Sequence, residues 1–126
     1  MKVLNVIATA YRATLEEQDD TVLWLTHAMK GAGAELDVLL RANAVNYAVK
    51  AQDIGRLAFG ERVQKQGPRL AEDVAGLIAK EVDVYIVTED LADRGLAADA
   101  LIDGLKEVSR ADMATLFDDY DYIWHW

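Results

Sequence analysis

Four polar side chains that can do chemistry follow an apolar run in the second half of the chain. They are Thr88, Glu89, Asp90 and Arg94, and the run before them covers residues 82–87. A threonine hydroxyl becomes a nucleophile only when a neighbouring base takes its proton, and Glu89 is the adjacent carboxylate. A guanidinium such as that of Arg94 binds carboxylates and phosphates through paired hydrogen bonds. The segment therefore predicts either a catalytic hydroxyl–carboxylate pair or a cationic contact for an anion.

Both interpretations compete with purely structural ones. Thr88 and Glu89 would point to opposite faces of a strand, so they could meet only in a loop. The simpler alternative is that they cap a helix or lie in a solvated turn. Arg94 could likewise form an ion pair with Asp90, Asp93 or Glu89 instead of binding a ligand. The sequence leaves these alternatives open.

The chain around this segment alternates between strand-like and helix-like stretches. Apolar runs predict strands over residues 3–9, 35–40, 82–87 and 121–126, with a weaker strand over 104–109. Helical spacing predicts helices over residues 17–31, 69–81, 97–102 and 112–120, and a short helix that begins at Asn43. This alternation predicts an α/β fold, a single three-layer α/β/α domain over residues 1–126 with a mostly parallel sheet of about five strands.

Local signals orient these helices. Apolar residues at helical spacing predict the buried stripe of the first helix, namely Val22, Leu25, Met29 and Ala32. The same spacing predicts the inward face of the helix over 69–81, namely Leu70, Val74, Leu77 and Ile78. Pro68 suits the first turn of that helix, and Asn43 suits the N-cap of the short one. Residues 50–68 have a weaker pattern and several glycines, which favours an irregular lid or an oligomer contact.

Further polar residues follow the first two strands, and we expect them at the same edge of the sheet. They are Thr9, Tyr11, Arg12, Arg41, Asn43 and Asn46. Because the carboxyl ends of parallel strands share one edge, donors from three loops should meet there with Thr88 and Arg94 and bind a small polar or anionic ligand. Ordinary capping and turn formation would explain the same residues, and no glycine-rich phosphate loop is present.

Charge balance and the lack of cysteine exclude several classes of function. The 13 basic and 22 acidic residues give a net charge of −9, which disfavours binding to nucleic acid or to an anionic membrane surface. With no cysteine there is no disulfide, thiolate metal site or cysteine nucleophile. No apolar run approaches the roughly 20 residues of a membrane span, and the first residues predict a strand and not a signal segment. We expect a cytoplasmic protein that needs no cofactor.

Neither histidine predicts a metal or proton-transfer site. His27 lies among polar neighbours on the first helix and suggests a solvated surface residue. His125 lies near Asp118, Asp119 and Asp121, and such a group could bind a divalent ion. The alternation of the last strand nevertheless separates its histidine face from its tryptophan face, so we expect these carboxylates to cap and solvate the last helix.

The end of the chain is rich in aromatic side chains. Tyr120, Tyr122, Trp124 and Trp126 fall within seven residues. Aromatic residues contribute strongly to cores and interfaces, and a terminal strand leaves an edge that needs covering. We expect Trp124 in the core and Trp126 at a contact between copies of the chain, with Phe59 as a second interface residue.

Four stretches together resemble the DsrE/DsrF-like (DsrEFH-like) family. They are residues 41–49 after the second strand, 84–87 in the third, 91–96 with its Arg94-Gly95 pair, and the closing Tyr-Asp-Tyr-Ile of 120–123. The resemblance covers nearly the whole chain. It implies a three-layer α/β/α fold that assembles as a dimer, trimer or hexamer, and it suggests a link to persulfide relay between sulfur-carrying proteins.

The chain departs from that family at the residue that carries the sulfur. Relay members have a cysteine at the end of the third strand, seven residues before the arginine that matches Arg94. The matching position here is Val87, or Thr88 if the alignment shifts by one. A persulfide relay needs a thiolate, which neither side chain provides. Sulfur transfer by a thiol of this chain is therefore excluded.

Three functions remain open. The first is a non-catalytic homo-oligomer that binds a small polar or anionic ligand, or a partner protein, at the carboxyl edge of the sheet. The second is an accessory or regulatory subunit for cysteine-bearing sulfur-relay proteins. The third is a small enzyme that uses Thr88, Glu89, Arg94 or Tyr11, which would require these side chains to converge around a cleft.

Overall fold

A five-stranded sheet forms the centre of the computed structural model, which describes residues 1–126. The strands along the chain are β1 Lys2–Ile7, β2 Glu35–Leu40, β3 Ala58–Phe59, β4 Arg62–Val63, β5 Val84–Val87, β6 Lys106–Val108 and β7 Tyr122–His125. The main sheet has the order β6-β5-β2-β1-β7, and all of its neighbouring strands are parallel. The predicted α/β class and the predicted five strands are confirmed.

Helices cover both faces of this sheet. They are α1 Thr14–Glu17, α2 Thr21–Gly31, α3 Leu70–Ala79, α4 Thr88–Asp93 and α5 Met113–Phe117, with 3₁₀ helices at Ala42–Ala48 and Ala98–Ala100. One face meets α2, α3 and the longer 3₁₀ helix through a core of 16 buried residues. The other face has a smaller core of six buried residues, to which α5 contributes Met113 and Leu116. Strands β1, β2 and β5 are buried on both faces, which explains their continuous apolar runs.

The first long helix begins later, and buries a different side, than its sequence predicts. Asp20 caps it, so α2 starts at Thr21. Its fully buried side chains are Leu23 and Thr26, whereas the predicted stripe is half-buried and ends in an exposed Ala32. The reason is a polar contact under the helix, where the Asn5 amide of β1 donates to the Thr26 hydroxyl at 3.0 Å. The two polar side chains satisfy each other's hydrogen bonds beneath the helix. The buried face of α2 therefore lies about one residue along the chain from the predicted face.

The predicted N-cap at Asn43 is wrong. The 3₁₀ helix begins at Ala42, and no side chain of its own segment caps it. The Ala42 N–H donates instead to the Asp90 carboxylate at 2.6 Å, a residue far along the chain. The Asn43 side chain is thereby free to accept hydrogen bonds from Arg94. A tertiary contact has replaced the local cap.

Helix α3 follows its prediction, although it begins one residue after Arg69 and Pro68 lies outside it. Leu70, Val74 and Leu77 are buried, and Ile78 is half-buried. Proline fits there because it needs no N–H partner.

His27 is not a solvated surface residue. It is half-buried between α2 and α3, with Nε2 at 2.8 Å from the Asp73 backbone oxygen and Nδ1 at 3.1 Å from the Lys80 ammonium. Gly76 makes room for the ring, since a Cβ at that position would lie 3.2 Å from His27 Cε1. The histidine therefore joins two helices.

The irregular segment contains a small hairpin that the sequence pattern did not predict. Strands β3 and β4 pair in antiparallel fashion. Gln64 anchors them, because its amide donates to the Leu15 carbonyl at 3.1 Å and its oxygen accepts from the Leu57 N–H at 2.9 Å. Phe59 projects from the hairpin with 72% of its surface exposed.

Strand β7 is the edge strand beside β1, and this position overturns one prediction. Trp124 is half-buried and not part of either core, because it lies opposite Asn5 on a strand with only one neighbour. Tyr122, Ile123 and Trp126 are exposed. The last two predicted helices are also shorter than expected, as the ranges of α5 and of the second 3₁₀ helix show. No helix is both long enough and apolar enough to cross a membrane.

Candidate functional site

A cavity of about 320 Å³ lies where the carboxyl ends of β1 and β7 meet the start of α2. From β1 the chain adds strands outward on one side through β2, β5 and β6, and then places β7 on the other side of β1. The crevice between β1 and β7 is therefore the point where the strand order reverses, and open α/β sheets bind ligands at such points. The residues that line it are Ile7, Thr9, Arg12, Ala13, Glu17, Asp20, Thr21, Val22, Leu25 and Trp126.

The loop that forms the near wall of this cavity has a strained backbone. Tyr11, Ala13 and Gln18 all have positive φ angles between 53° and 61°, although none is glycine. Each such residue costs on the order of 1 kcal/mol and persists only where other contacts hold it. Here the Tyr11 N–H donates to the Tyr47 hydroxyl at 2.7 Å, and the Tyr11 hydroxyl donates to Gln52 at 2.6 Å.

Tyr11 itself is an anchor for this loop. Its ring packs edge-on against Tyr47, with centroids 5.3 Å apart, and its hydroxyl is already engaged. It does not line the cavity. The strain therefore sets the path of the backbone that carries Thr9 and Arg12.

Asp20 and Tyr47 fix the floor of the cavity. One Asp20 oxygen accepts from the N–H groups of Val22 and Leu23 at 2.9 Å each, and the other accepts from the Tyr47 hydroxyl at 2.7 Å. Burial, together with the neighbouring Asp20 carboxylate, raises the pKa of Tyr47 well above its ordinary value. The hydroxyl therefore keeps its proton, and both side chains are satisfied without a ligand.

The remaining polar groups of the cavity include one unpaired cation. Arg12 and Thr9 are exposed, and their side chains make no hydrogen bond or ion pair within the chain, whereas Glu17 accepts from the Thr21 hydroxyl at 2.6 Å. Apolar walls face these groups, formed by Ile7, Val22, Leu25 and Trp126. One free guanidinium beside apolar walls can hold a small organic molecule that carries an acidic group.

The other half of the sheet edge, at the ends of β2, β5 and β6, holds a network of hydrogen-bonded polar side chains. Its centre is Asp90, which is buried and accepts from the Ala42 N–H at 2.6 Å and from the Arg110 guanidinium at 2.5 Å. Burial alone would raise the pKa of Asp90, but these two donors hold it below its ordinary value. Arg110 also lies 3.5 Å from Asp93.

Arg94 belongs to this network and forms none of the ion pairs considered from the sequence. Its Nε and Nη2 donate to the Asn43 side-chain oxygen at 3.1 and 2.8 Å, and its Nη1 donates to the Asp90 backbone oxygen at 3.1 Å. Asn46 donates to the Asn43 backbone oxygen at 2.9 Å. Arg94, Asn43 and Asn46 thus join α4 to the 3₁₀ helix and do not reach the cavity.

Arg41 is the second cation at this edge without a partner. It is half-buried, its backbone N–H donates to the Ile7 carbonyl at 3.0 Å, and its buried Nε has no hydrogen-bond partner. Its backbone thus lies beside the end of β1, although the side chain does not line the cavity.

Thr88 and Glu89 do meet, but in the first turn of α4 and not in a loop. The Thr88 hydroxyl donates to Glu89 Oε1 at 2.7 Å. The same carboxylate accepts from the Arg110 N–H at 2.8 Å, and these hydrogen bonds, that of Thr88 first, lower the pKa of Glu89. A carboxylate with a lowered pKa is a poor proton acceptor. Val87, which matches the relay cysteine, is completely buried.

The structure divides the polar residues predicted at the carboxyl edge of the sheet into two groups. Thr9 and Arg12 reach the cavity, whereas Tyr11, Asn43, Asn46, Thr88 and Arg94 bind other parts of the chain. The sequence pattern was not used to identify Asp20 as the N-cap of α2 and as part of the cavity floor, although Asp19-Asp20-Thr21 before an apolar run is a helix-start signal. It also placed Trp126 only at an interface. No group of three or more His, Cys, Asp or Glu side chains lies together in a way that could hold a metal ion.

Comparisons with known proteins reach the level of the fold. No family model matches the chain, and no curated protein is similar enough to count as a relative. The solved structure of the ychN protein from E. coli is similar at a TM-score of 0.71 and 18% identity, over 100% of both chains. A protein of unknown function from Methanobacterium thermoautotrophicum, MTH1491, gives a TM-score of 0.62 and 18% identity over 97% of this chain and 96% of its own. Both have the DsrE-like fold, so the resemblance read from the sequence holds for the fold.

Proposed function

We propose that this chain is a non-catalytic binding protein that holds a small organic anion in the cavity between β1 and β7 and works as a homo-oligomer. The observation that carries the proposal is the unpaired Arg12 beside apolar walls, at the point where the strand order reverses. The two carboxylates that also line the cavity are engaged, Glu17 by the Thr21 hydroxyl and Asp20 by Tyr47 and two backbone N–H groups, so Arg12 is the charged group left for a ligand.

The absence of an available catalytic group supports binding over catalysis. Glu89 has a lowered pKa and accepts hydrogen bonds from Thr88 and Arg110, and Arg94 is bound to Asn43. Tyr47 keeps its proton and donates a hydrogen bond to Asp20. Of the four groups considered for an enzyme, Thr88 and Glu89 bind each other, Arg94 binds Asn43 and Tyr11 binds Gln52, so they do not converge around a cleft. No cysteine exists to carry sulfur.

A second candidate function is an accessory subunit for cysteine-bearing proteins of a sulfur relay. The likeness of the fold to DsrE-like proteins favours it, and a chain without a thiol could still position or regulate a partner that has one. In that role the partner would supply the thiolate.

Two measurements test the first proposal. Native mass spectrometry of protein purified gently from its own cells should reveal a homo-oligomer with a small non-covalent passenger. A thermal unfolding screen with small carboxylates, sulfonates and phosphate esters should raise the midpoint, because a ligand at 100 times its Kd stabilises a fold by about 2.7 kcal/mol.

The matched variants are Arg12→Ala and Arg56→Ala. Both remove an exposed arginine that makes no hydrogen bond or ion pair, but only Arg12 lines the cavity. The first variant should lose the ligand-induced shift and the second should keep it. If no acid shifts the wild type, or if both variants respond alike, the anion-binding proposal is wrong. A co-purified protein that contains cysteine would favour the accessory role.

A further inference from the structure

Charge is distributed very unevenly along the chain. Residues 50–69, here called the basic hairpin segment, carry two acidic residues and five basic ones, namely Lys50, Arg56, Arg62, Lys65 and Arg69. Their net charge is +3. Since the whole chain has 13 basic and 22 acidic residues, the remainder has 8 and 20, a net charge of −12. This cationic segment of an otherwise anionic protein contains the exposed hairpin of β3 and β4.

The basic hairpin segment presents apolar surface together with this charge. Phe59 and Val63 on β3 and β4 are both strongly exposed, the latter at 58%. A short two-stranded hairpin gains no stability from large apolar side chains that stay in water. Their exposure is typical of a surface that binds a partner. Arg62 and Lys65 flank them and form no ion pair.

A surface with the opposite character lies at the amino end of β7. Met1, Asp121 and Tyr122 line a shallow depression there, and Asp118 and Asp119 are exposed in the turn that leads into it. We call this surface the acidic depression. Met1 is 75% and Tyr122 is 53% exposed. Residues 111–126 contain four acidic residues and neither lysine nor arginine.

We infer that the basic hairpin segment of one copy of this chain docks on the acidic depression of a second copy, with Phe59 against Met1 and Tyr122 and with Arg62 and Lys65 facing Asp118 and Asp119. This inference names the contact of the homo-oligomer proposed above and rests on that proposal. Each surface combines exposed apolar area with charge, and the two charges are opposite. Opposite charges speed the encounter of two surfaces, and apolar area is buried when they meet.

The two surfaces do not bind each other within one chain. The hairpin is tied to the loop at Leu15, and no hydrogen bond or ion pair joins it to the acidic depression. Because the two surfaces differ, each copy would use its hairpin on one neighbour and its depression on another. Such a head-to-tail contact closes into a ring or continues as a filament.

The first test is reversal of charge on the hairpin by Arg62→Glu with Lys65→Glu, with subunit number measured by native mass spectrometry and sedimentation velocity in about 50 mM salt, where charged surfaces are weakly screened. The wild type should assemble and this variant should be monomeric. Circular dichroism confirms that it is folded. An assembled variant would overturn the proposed contact while leaving the homo-oligomer in place.

The second test adds Asp118→Lys and Asp119→Lys to the reversed hairpin, which exchanges the two charges and should restore assembly. Its matched control adds Asp103→Lys and Glu107→Lys instead, two exposed sites on or just before the opposite edge strand β6 whose side chains form no ion pair, so that the same net charge is restored away from the depression. Rescue by the control as well would show that only net charge matters, and would overturn the contact. A monomeric wild type would overturn both the contact and the homo-oligomer.

Discussion

The two halves of the sheet's carboxyl edge use polar residues in opposite ways. At the ends of β2, β5 and β6 most polar side chains have partners, with Asp90, Arg94 and Arg110 in one hydrogen-bonded network and Arg41 as the exception. Between β1 and β7 a cavity remains, and Arg12 has no partner. Polar residues that satisfy one another hold the fold together, whereas an unpaired charge beside a cavity is available to a ligand. The same residue types at the same edge thus bind one another in one half, whereas in the other half we propose that they bind a ligand.

The largest expected effect of a substitution belongs to the half with the hydrogen-bonded network. Asp90→Ala removes a buried carboxylate, leaves the Ala42 N–H without its partner and leaves Arg110 with only its 3.5 Å contact to Asp93. We expect the free energy of unfolding to fall by about 3 kcal/mol, as for other broken buried networks. Urea unfolding measures the loss. Asp93→Ala is the control, because its 3.5 Å contact with Arg110 is exposed and should contribute less than about 0.5 kcal/mol.

The second largest effect is expected at the cavity between β1 and β7 and concerns the affinity for an organic anion. Arg12→Ala removes the free guanidinium, so the Kd for an organic anion should rise about tenfold, the equivalent of one charge-assisted hydrogen bond. The free energy of unfolding should change by less than about 0.5 kcal/mol, since no contact within the chain is lost. Isothermal titration calorimetry and urea unfolding on the same samples separate the two quantities. A large loss of stability with unchanged affinity would reverse the roles given to the two halves.

Arg94→Ala should show the opposite pattern on a smaller scale. The variant loses three hydrogen bonds that are only partly shielded from water, two of them to Asn43. We expect a loss of about 1 kcal/mol in unfolding free energy and an unchanged ligand affinity. Asn43→Ala should reproduce the loss of stability, because it removes the same contact from the other side. A weaker affinity in either variant would bring Arg94 into the binding site.

The smallest effect is a difference in pH dependence. Burial and the neighbouring Asp19 carboxylate raise the pKa of Asp73 from its ordinary 3.8 to about 7. The folded chain then binds more protons than the unfolded chain, so this contribution to stability is present below pH 3.8 and is lost as pH rises through about 7. Asp73→Asn should flatten that part of the stability curve.

Asp90 has the opposite sign. Its lowered pKa makes a contribution that is present above its ordinary 3.8 and is lost as pH falls through the folded value. Urea midpoints measured from pH 3 to pH 8 separate the two residues. An unchanged pH profile in Asp73→Asn would show that this carboxyl does not titrate in that range.

Much of the fold was predictable because it depends on local patterns. The apolar runs over β1, β2 and β5 predicted buried parallel strands, and helical spacing predicted α3 with its inward Leu70, Val74 and Leu77. The errors arose where a distant residue replaces a local partner. Asp90 caps the 3₁₀ helix in place of Asn43, and the Asn5–Thr26 contact turns α2.

The cavity was only partly predictable for the same reason. Thr9 and Arg12 follow β1 directly, so their arrival at the edge could be expected. Trp126 joins them only because β7 pairs with β1 and not with β6, a choice of strand order that no short stretch of sequence specifies. Whether Arg12 or Arg94 is the free cation depends on side-chain partners, and these are set by the packed structure.

The most direct test of the contrast between the two halves is a map of where an organic anion changes the amide and indole resonances of the ¹⁵N-labelled protein. We expect shifts at Thr9, Arg12, Thr21 and the indole of Trp126, with the resonances of residues 88–94 unchanged. Shifts confined to residues 41–46 and 88–94, with the cavity between β1 and β7 silent, would contradict this expectation.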